Sequence, residues 1–134
     1  LSSYSGTIIA VIPAALRAVL KSVTKYTNNT GNSSAASAVT ATTDYFFLLS
    51  EYEVFGSTTY ANSNEASKQA QYSYYSAGNS KVKYNHSATS TAVYWGLRSP
   101  FASSSMYFGL VYTDGTVSNS YASYSYGFAP GFCV

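Results

Sequence analysis

The sequence predicts an α+β fold, two helices beside a small antiparallel sheet with long irregular loops. Three observations point there. Apolar residues recur at helical spacing in the N-terminal part, at Leu16, Val19, Leu20 and Val23. From Ala92 onward the pattern shortens to β-type runs, and Asp114-Gly115 between Val111-Tyr112 and Thr116-Val117 marks a tight hairpin, whose primed turn needs the positive φ that Asp-Gly supplies cheaply. Helical signals first and paired strands afterwards keep the two kinds of structure apart, which is the α+β arrangement. The 134 residues make one domain, enough to bury roughly two thirds of the surface the unfolded chain exposes. The first residue is Leu1 rather than Met, and the expectation is a single domain over 1–134 at the C-terminal part of a longer chain.

Thr7-Ile8-Ile9-Ala10-Val11 reads as a short β run ended by Pro13, and proline at the first turn suits a helix over Ala14–Val23. The apolar face of that helix is expected to dock on a core. Thr27 to Thr43, rich in Asn, Ser, Thr, Ala and Gly without periodicity, reads as a surface loop. Asp44–Leu49 reads as a buried strand. Ser50-Glu51-Tyr52-Glu53 is a capping box, in which the serine and glutamate side chains satisfy free N–H groups at a helix start, and Gly56 closes the short helix. A further helix is expected over Glu65–Tyr75, with Asn62 or Ser63 as N-cap, Glu65 near the positive end of the dipole, and Gly78-Asn79 as its end. Strands follow over Ala92–Leu97, over Met106–Tyr112, from Thr116, and over Gly127–Val134.

Only 9% of residues are charged, and the 46% hydrophobic share includes fifteen tyrosines, against roughly 25% charged in ordinary soluble domains. The surface is therefore made of Ser, Thr, Asn and Tyr. That composition is the neutral, wet recognition surface that paratopes use, and a disordered segment would be poor in aromatics. The net charge is +2 and the lysines and arginines are scattered from Arg17 to Arg98 without a run, so a phosphate-tracking stripe is absent and no nucleic-acid partner is expected. Pro13, Arg17 and Lys21 interrupt the apolar stretch Ile8–Val23 well short of the roughly 20 residues a bilayer span requires. Positive charges follow that stretch instead of preceding it, so neither membrane insertion nor a signal peptide is expected. A lone Cys133 rules out an internal disulfide and reads as a small buried hydrophobe.

Catalysis needs tunable titratable groups or a metal cage. His86 is the single histidine and reads as a loop residue, and no G-x-S-x-G elbow is present. Of the five carboxylates, the capping box accounts for Glu51 and Glu53 and the turn for Asp114, which leaves Asp44 and Glu65 dispersed. Calcium-dependent sugar binding wants clustered oxygen ligands. No metal, no cofactor and no enzyme activity are expected.

Tyr94-Trp95-Gly96-Leu97-Arg98-Ser99-Pro100, Asp114-Gly115, and Gly127-Phe128-Ala129-Pro130-Gly131-Phe132-Cys133 resemble the C-terminal region of C-type-lectin-like domains of gut-bacterial and phage proteins. Phe47-Leu48-Leu49-Ser50-Glu51 and Val54-Phe55-Gly56 are similar upstream, so the resemblance covers roughly residues 8 to 134. Some of these domains are variable proteins of diversity-generating retroelements or phage receptor-binding tropism determinants, and formylglycine-generating enzymes share the fold. The resemblance implies that Trp95 fills the core under the sheet and that Arg98 bonds backbone carbonyls or a buried acid such as Asp44. Pro100, Pro130, Gly127 and Gly131 then shape the backbone. Gly96 departs from the motif, which often carries a second aromatic there, and the family pattern makes it a position free to vary. In such variable proteins adenine mutagenesis turns Asn codons into Tyr, Ser, Phe, Gly, Asp, Thr, Leu or Val. Lys, Glu, Gln, Trp and Met stay out of reach, and residues 102–128 hold one exception, Met106. A variable ligand-binding region over about residues 96–126 is expected.

Within that region Tyr107, Tyr112, Tyr121, Tyr124 and Tyr126 interleave with serines and Asn119. Tyrosine supplies rigid contact area at low entropic cost, and Ser and Asn supply adaptable hydrogen bonds. The alternation Tyr124-Ser125-Tyr126 also fits a strand that buries both rings. The expected ligand-binding set is Gly96, Ser103, Ser105, Met106, Tyr107, Tyr112, Asn119, Tyr121, Tyr124 and Tyr126. The expected function is non-enzymatic recognition of a protein or glycan on a target cell, at a phage tail or bacterial surface, as a homo-trimer or attached to a larger virion or surface protein. A structural alternative is a virion or cell-surface decoration domain whose tyrosines pack subunits. A second is an enzyme related to the formylglycine-generating family, whose cysteine chemistry a single near-terminal Cys133 does not match.

Overall fold

In the computed structural model, which describes residues 8–134, three short helices alternate with four small antiparallel sheets in a mixed α/β architecture without a closed barrel. Helices and strands are interleaved in the first half, so the expected order of helices first and one sheet afterwards does not hold.

Ile8–Val11 is a 3-10 turn rather than a strand, and Thr7 of the expected β run lies outside the described residues. Helix α1 (Ala14–Val19) follows Pro13, which is its N-cap, and the chain becomes extended at Leu20. The helix expected to reach Val23 stops early because Lys21 N–H donates to Cys133 O at 2.9 Å and Val23 already pairs with Asp44. No residue of α1 is buried: on the apolar face expected to dock, Leu16 and Leu20 are only half-buried and Val19 is exposed. Strands β1 (Val23–Asn28) and β2 (Val39–Asp44) run antiparallel from Val23–Asp44 to Asn28–Val39. They take up both flanks of the segment expected to be a loop. Their outward positions are threonines and alanines, which leave no apolar alternation for a reader of the sequence to find.

Strand β3 (Phe46–Leu48) pairs with β9 (Pro130–Phe132) near the end of the chain, Phe46 opposite Phe132. Gly131 permits that approach, since a Cβ there would stand 2.5 Å from the Phe47 ring. Helix α2 (Glu51–Phe55) has the expected capping box: Glu53 N–H donates to Ser50 Oγ at 3.0 Å and Ser50 N–H to Glu53 Oε2 at 2.9 Å. Gly56, at φ 69°, closes it. The helix expected over Glu65–Tyr75 is instead a 3-10 turn, Ser63–Glu65, capped by Asn62 as expected, and a separate short α3 (Ser73–Ser76). Tertiary bonds unwind it. Gln71 Nε2 donates to Val54 O at 3.1 Å and Tyr72 N–H to Glu53 O at 3.0 Å, which satisfies carbonyls that α2 leaves free at its end.

Strands β4 (Lys83–Asn85) and β5 (Ala88–Val93) form a hairpin, and β6 (Trp95–Pro100), β7 (Tyr107–Val111) and β8 (Val117–Tyr121) form a sheet in that order. The β7–β8 turn differs from the primed type expected, because Gly115 (φ 88°) is left-handed and Asp114 is not. Tyr112 N–H donates to Thr116 O at 2.8 Å and Gly115 N–H to Tyr112 O at 2.9 Å, the pattern of a longer loop with one left-handed glycine. Asp114 Oδ1 accepts from Thr116 Oγ1 at 2.6 Å and Thr116 N–H at 2.9 Å, and these bonds hold its pKa below the ordinary value.

Trp95, Leu97 and Val111 from this sheet pack with Val54 and Tyr75, flanked by Leu49, Phe55 and Ala129. Trp95 is 1% exposed, as the motif implies, and its indole N–H donates to Lys81 O at 2.9 Å. Cys133 is half-buried between exposed Phe132 and Val134 rather than enclosed. Among the described residues no helix is long and apolar enough to cross a membrane.

Candidate functional site

A buried polar frame lies behind β6. Glu53 Oε1 accepts from Lys25 Nζ at 2.7 Å, and Glu53 Oε2 accepts from Arg98 Nη1. Arg98 also donates to Leu48 O and Thr27 Oγ1, each at 2.8 Å, and to Gln69 Oε1. The carbonyl bonding expected of Arg98 is present, but its acid is Glu53 and not Asp44, which accepts instead from Thr42 Oγ1 at 2.7 Å. Burial pushes the Glu53 carboxyl up, but the Arg98 hydrogen bond and charge, with Lys25, hold it below its ordinary pKa. Glu65, also buried, accepts from Ser99 Oγ at 2.7 Å and Asn28 N–H at 3.0 Å. There burial prevails over those bonds, and the pKa is raised.

Glu51 is more than part of a capped turn. It is fully buried and its carboxylate accepts from the backbone N–H groups of Thr59, Tyr60 (3.1 Å) and Ala61 (2.8 Å). This grip fixes the loop that carries Tyr60, whose carbonyl in turn accepts from Ala102 N–H at 2.8 Å.

On that frame rests a row of aromatic rings. Tyr60 lies 5.1 Å from Phe101, Phe101 6.0 Å from Tyr107, Tyr107 4.7 Å from Tyr121, and Tyr121 5.4 Å from Tyr124, centroid to centroid. Tyr107 and Tyr121 are cross-strand partners of β7 and β8, and Tyr126 Oη donates to Tyr121 O at 3.0 Å. Four of the expected tyrosines therefore share one end of the sheet. Tyr124 and Tyr126 are not on a strand, and Tyr124 is 60% exposed, which removes the reading that buries both rings. The Tyr107 hydroxyl is raised in pKa chiefly by its hydrogen bond with Tyr121.

Tyr112 is elsewhere. It lies past the opposite end of β7, 4.6 Å from the Tyr94 ring, and Gly96 faces Leu110 on β7 with open space where a Cβ would project. Asn119 is half-buried opposite Gly109. Ser103 and Met106 are exposed in the β6–β7 connection, and Ser105 lines a groove of about 280 Å³ with Thr27, Asn29, Arg98 and Phe108. The expected set thus divides into a tyrosine row with its serine loop and a separate Tyr94–Tyr112 pair near Gly96. Sequence reasoning missed Tyr60, Phe101 and Tyr94. Tyr94 and Phe101 flank the Trp95–Pro100 motif, which is a usable signal, whereas Tyr60 comes into place only through Glu51.

Among the described residues no three His, Cys, Asp or Glu side chains are grouped to hold a metal ion. His86 Nε2 lies 3.1 Å from Ser87 Oγ, exposed at the β4–β5 turn. The arrangement offers flat amphipathic ring faces, hydroxyls and amides on a rigid base.

Residues 5–134 match the model of a family described as Domain of unknown function (DUF6273). No curated protein and no solved structure matches the chain.

Proposed function

The chain belongs to the DUF6273 family, and we propose that it is a non-enzymatic ligand-recognition domain of C-type-lectin-like fold that presents its tyrosine row to a protein or glycan on a target cell surface. The observation that carries this reading is the contiguous row Phe101–Tyr107–Tyr121–Tyr124 at one end of the β6–β7–β8 sheet. Rings of this kind contribute contact area with little entropy left to lose, and their hydroxyls answer polar groups on a partner. Support for the fold reading comes from the buried Trp95 and the carbonyl-bonded Arg98 of the motif, and from the open space at Gly96, where the related motif often carries an aromatic. Display at a phage tail or bacterial surface accords with a surface poor in charge and rich in Ser, Thr and Tyr.

The test is binding of the fluorescently labelled chain to a panel of intact bacterial cells. On any strain bound by the wild type, Tyr121→Ala and Tyr124→Ala should weaken binding about 10-fold or more while melting is unchanged, since hot spots are enriched in tyrosine. Undiminished binding by both folded variants would refute the role of the row.

A further inference from the structure

Two hollows on the face behind β4 share one residue, Lys83. The first, about 460 Å³, is walled by Tyr84, Asn85, His86, Tyr126 and Phe128. The second, about 320 Å³, is walled by Tyr72, Tyr74 and Phe132 among others. Tyr84, Phe128 and Tyr74 are each more than half exposed, so their rings are open to a ligand. No Asp or Glu lines either hollow. Lys83 is half-buried at the junction with its ammonium 5.9 Å from the Trp95 ring, and the two ion pairs among the described residues involve Lys25 and Arg98 instead. Gly127 sets the shape of the first hollow. A Cβ there would stand 2.7 Å from Tyr94 O, so only glycine lets the 126–129 segment close in beside Trp95.

From this juxtaposition we infer that the paired hollows bind an acidic oligosaccharide without metal, a sugar carboxylate resting on Lys83 and neighbouring rings resting on the aromatic walls. The inference goes beyond the tyrosine row: it adds a second ligand surface to the recognition reading and names the ligand class that surface takes. Each part of the ligand answers a part of the wall. Sugar rings have apolar C–H faces that lie flat on Tyr and Phe rings, and hydroxyls that Asn85 and the tyrosine hydroxyls can meet. The carboxylate answers an ammonium that is partly removed from water and has no acid of its own, where a charge-assisted bond is stronger than on an open surface. Each hollow falls in the range of small-molecule sites, and together they take more than one sugar ring.

The probes are oligogalacturonate, oligoguluronate, hyaluronate oligomers and sialyllactose, each with its methyl ester, which keeps the shape and removes the charge. A polyglutamate peptide supplies the same charge without sugar rings. Titrations of the whole chain, followed by amide NMR, should show at least one acid binding about 10-fold or more tighter than its ester, the difference a charged hydrogen bond makes, with shifts at Asn85, Gly127 and Phe128. Lys83→Gln should bring the acid down to the ester's affinity at unchanged melting temperature, and Phe128→Ala should weaken both. Equal affinity of acid and ester, equal affinity of polyglutamate, shifts confined to β7 and β8, or no binding below about 10 mM would each overturn the inference. If the probes fail while Tyr121→Ala and Tyr124→Ala still lose cell binding, the ligand class is wrong and the recognition reading stands. If those two variants keep cell binding, the role of the row falls, and the probe titrations decide the hollows separately.

Discussion

Arg98 and Glu53 stand 45 residues apart in the chain and meet inside the molecule, Arg98 Nη1 on Glu53 Oε2. Glu53 also belongs to the capping box of α2, so a single carboxylate joins a local helix signal to strand β6. Its other oxygen carries Lys25 from β1 at 2.7 Å. Removing one member of a buried pair leaves the other charge uncompensated, at about 3–5 kcal/mol. Arg98→Ala should lose about that much in urea unfolding. Arg98→Lys should lose nearly as much, because one ammonium cannot replace the bonds to Leu48 O, Thr27 Oγ1 and Gln69. A loss under about 1 kcal/mol for Arg98→Ala, the scale of exposed pairs, would contradict the buried frame.

Glu53 and Glu65 respond to acid in opposite directions. Burial raises both, and Arg98 with Lys25 reverses the sign only at Glu53. A pKa raised by folding gives stability that is present at low pH and lost as pH rises through the folded value, and a lowered one gives the reverse. Acidifying from neutral pH should therefore first stabilise the protein as Glu65 takes up its proton. Below about 4.3, the unfolded glutamate value, stability should fall as Glu53 is titrated toward its lower folded pKa. Glu65→Gln should abolish the rise and keep the fall. Urea midpoints from neutral to acid pH read this directly, and a monotonic loss in the wild type would show that burial does not dominate at Glu65.

The glycines of the motif should separate by stability. At Gly96 an added Cβ meets nothing within 4 Å, whereas at Gly127 it would stand 2.7 Å from Tyr94 O. Gly96→Ala should be neutral or stabilise by up to about 1 kcal/mol through the unfolded chain. Gly127→Ala should cost about 1–3 kcal/mol through the forced backbone shift. Thermal melting of the two proteins compares them, and similar losses would mean that Gly96 is scaffold and not a site open to variation.

Within the row, exposure should divide the tyrosines. Tyr107 is half-buried between Phe101 and Tyr121, and Tyr124 projects from the end of the row. Tyr107→Ala should lower both melting temperature and cell binding, with about 1–3 kcal/mol lost in stability. Tyr124→Ala should lower binding alone. Glu51→Gln supplies an independent handle: it weakens the hold on the 59–61 amides and should broaden the NMR signals of Tyr60 and Ala102 without moving those of β4 and β5. Sharp, unshifted Tyr60 and Ala102 signals would show that the loop holds its place without the charge.

The sequence by itself determined the features whose causes lie within a few residues. Ser50 and Glu53 cap each other three positions apart, Gly56 and Gly115 take the left-handed backbone at a helix end and a turn, and alternation at the start of β6 puts Trp95 and Leu97 inward. The tyrosine-rich surface was legible for the same reason, since composition and short spacing report exposure and alternation. Only the tertiary structure decided where remote polar groups meet. Strands β1 and β2 carry Thr, Ala and Asn without an apolar stripe, and they are held by bonds such as Asn28 N–H to Glu65, 37 residues away. The segment after Glu65 gives up its helix because Gln69 and Gln71 bond Arg98 and Val54 O instead of facing water. Tyr60 joins the row, and Tyr112 leaves it, because Glu51 grips one loop and β7 has two ends. Periodicity records which side of an element is dry, and hydrogen bonds between distant polar side chains leave no periodic trace, so this part of the site exists only once the chain has folded.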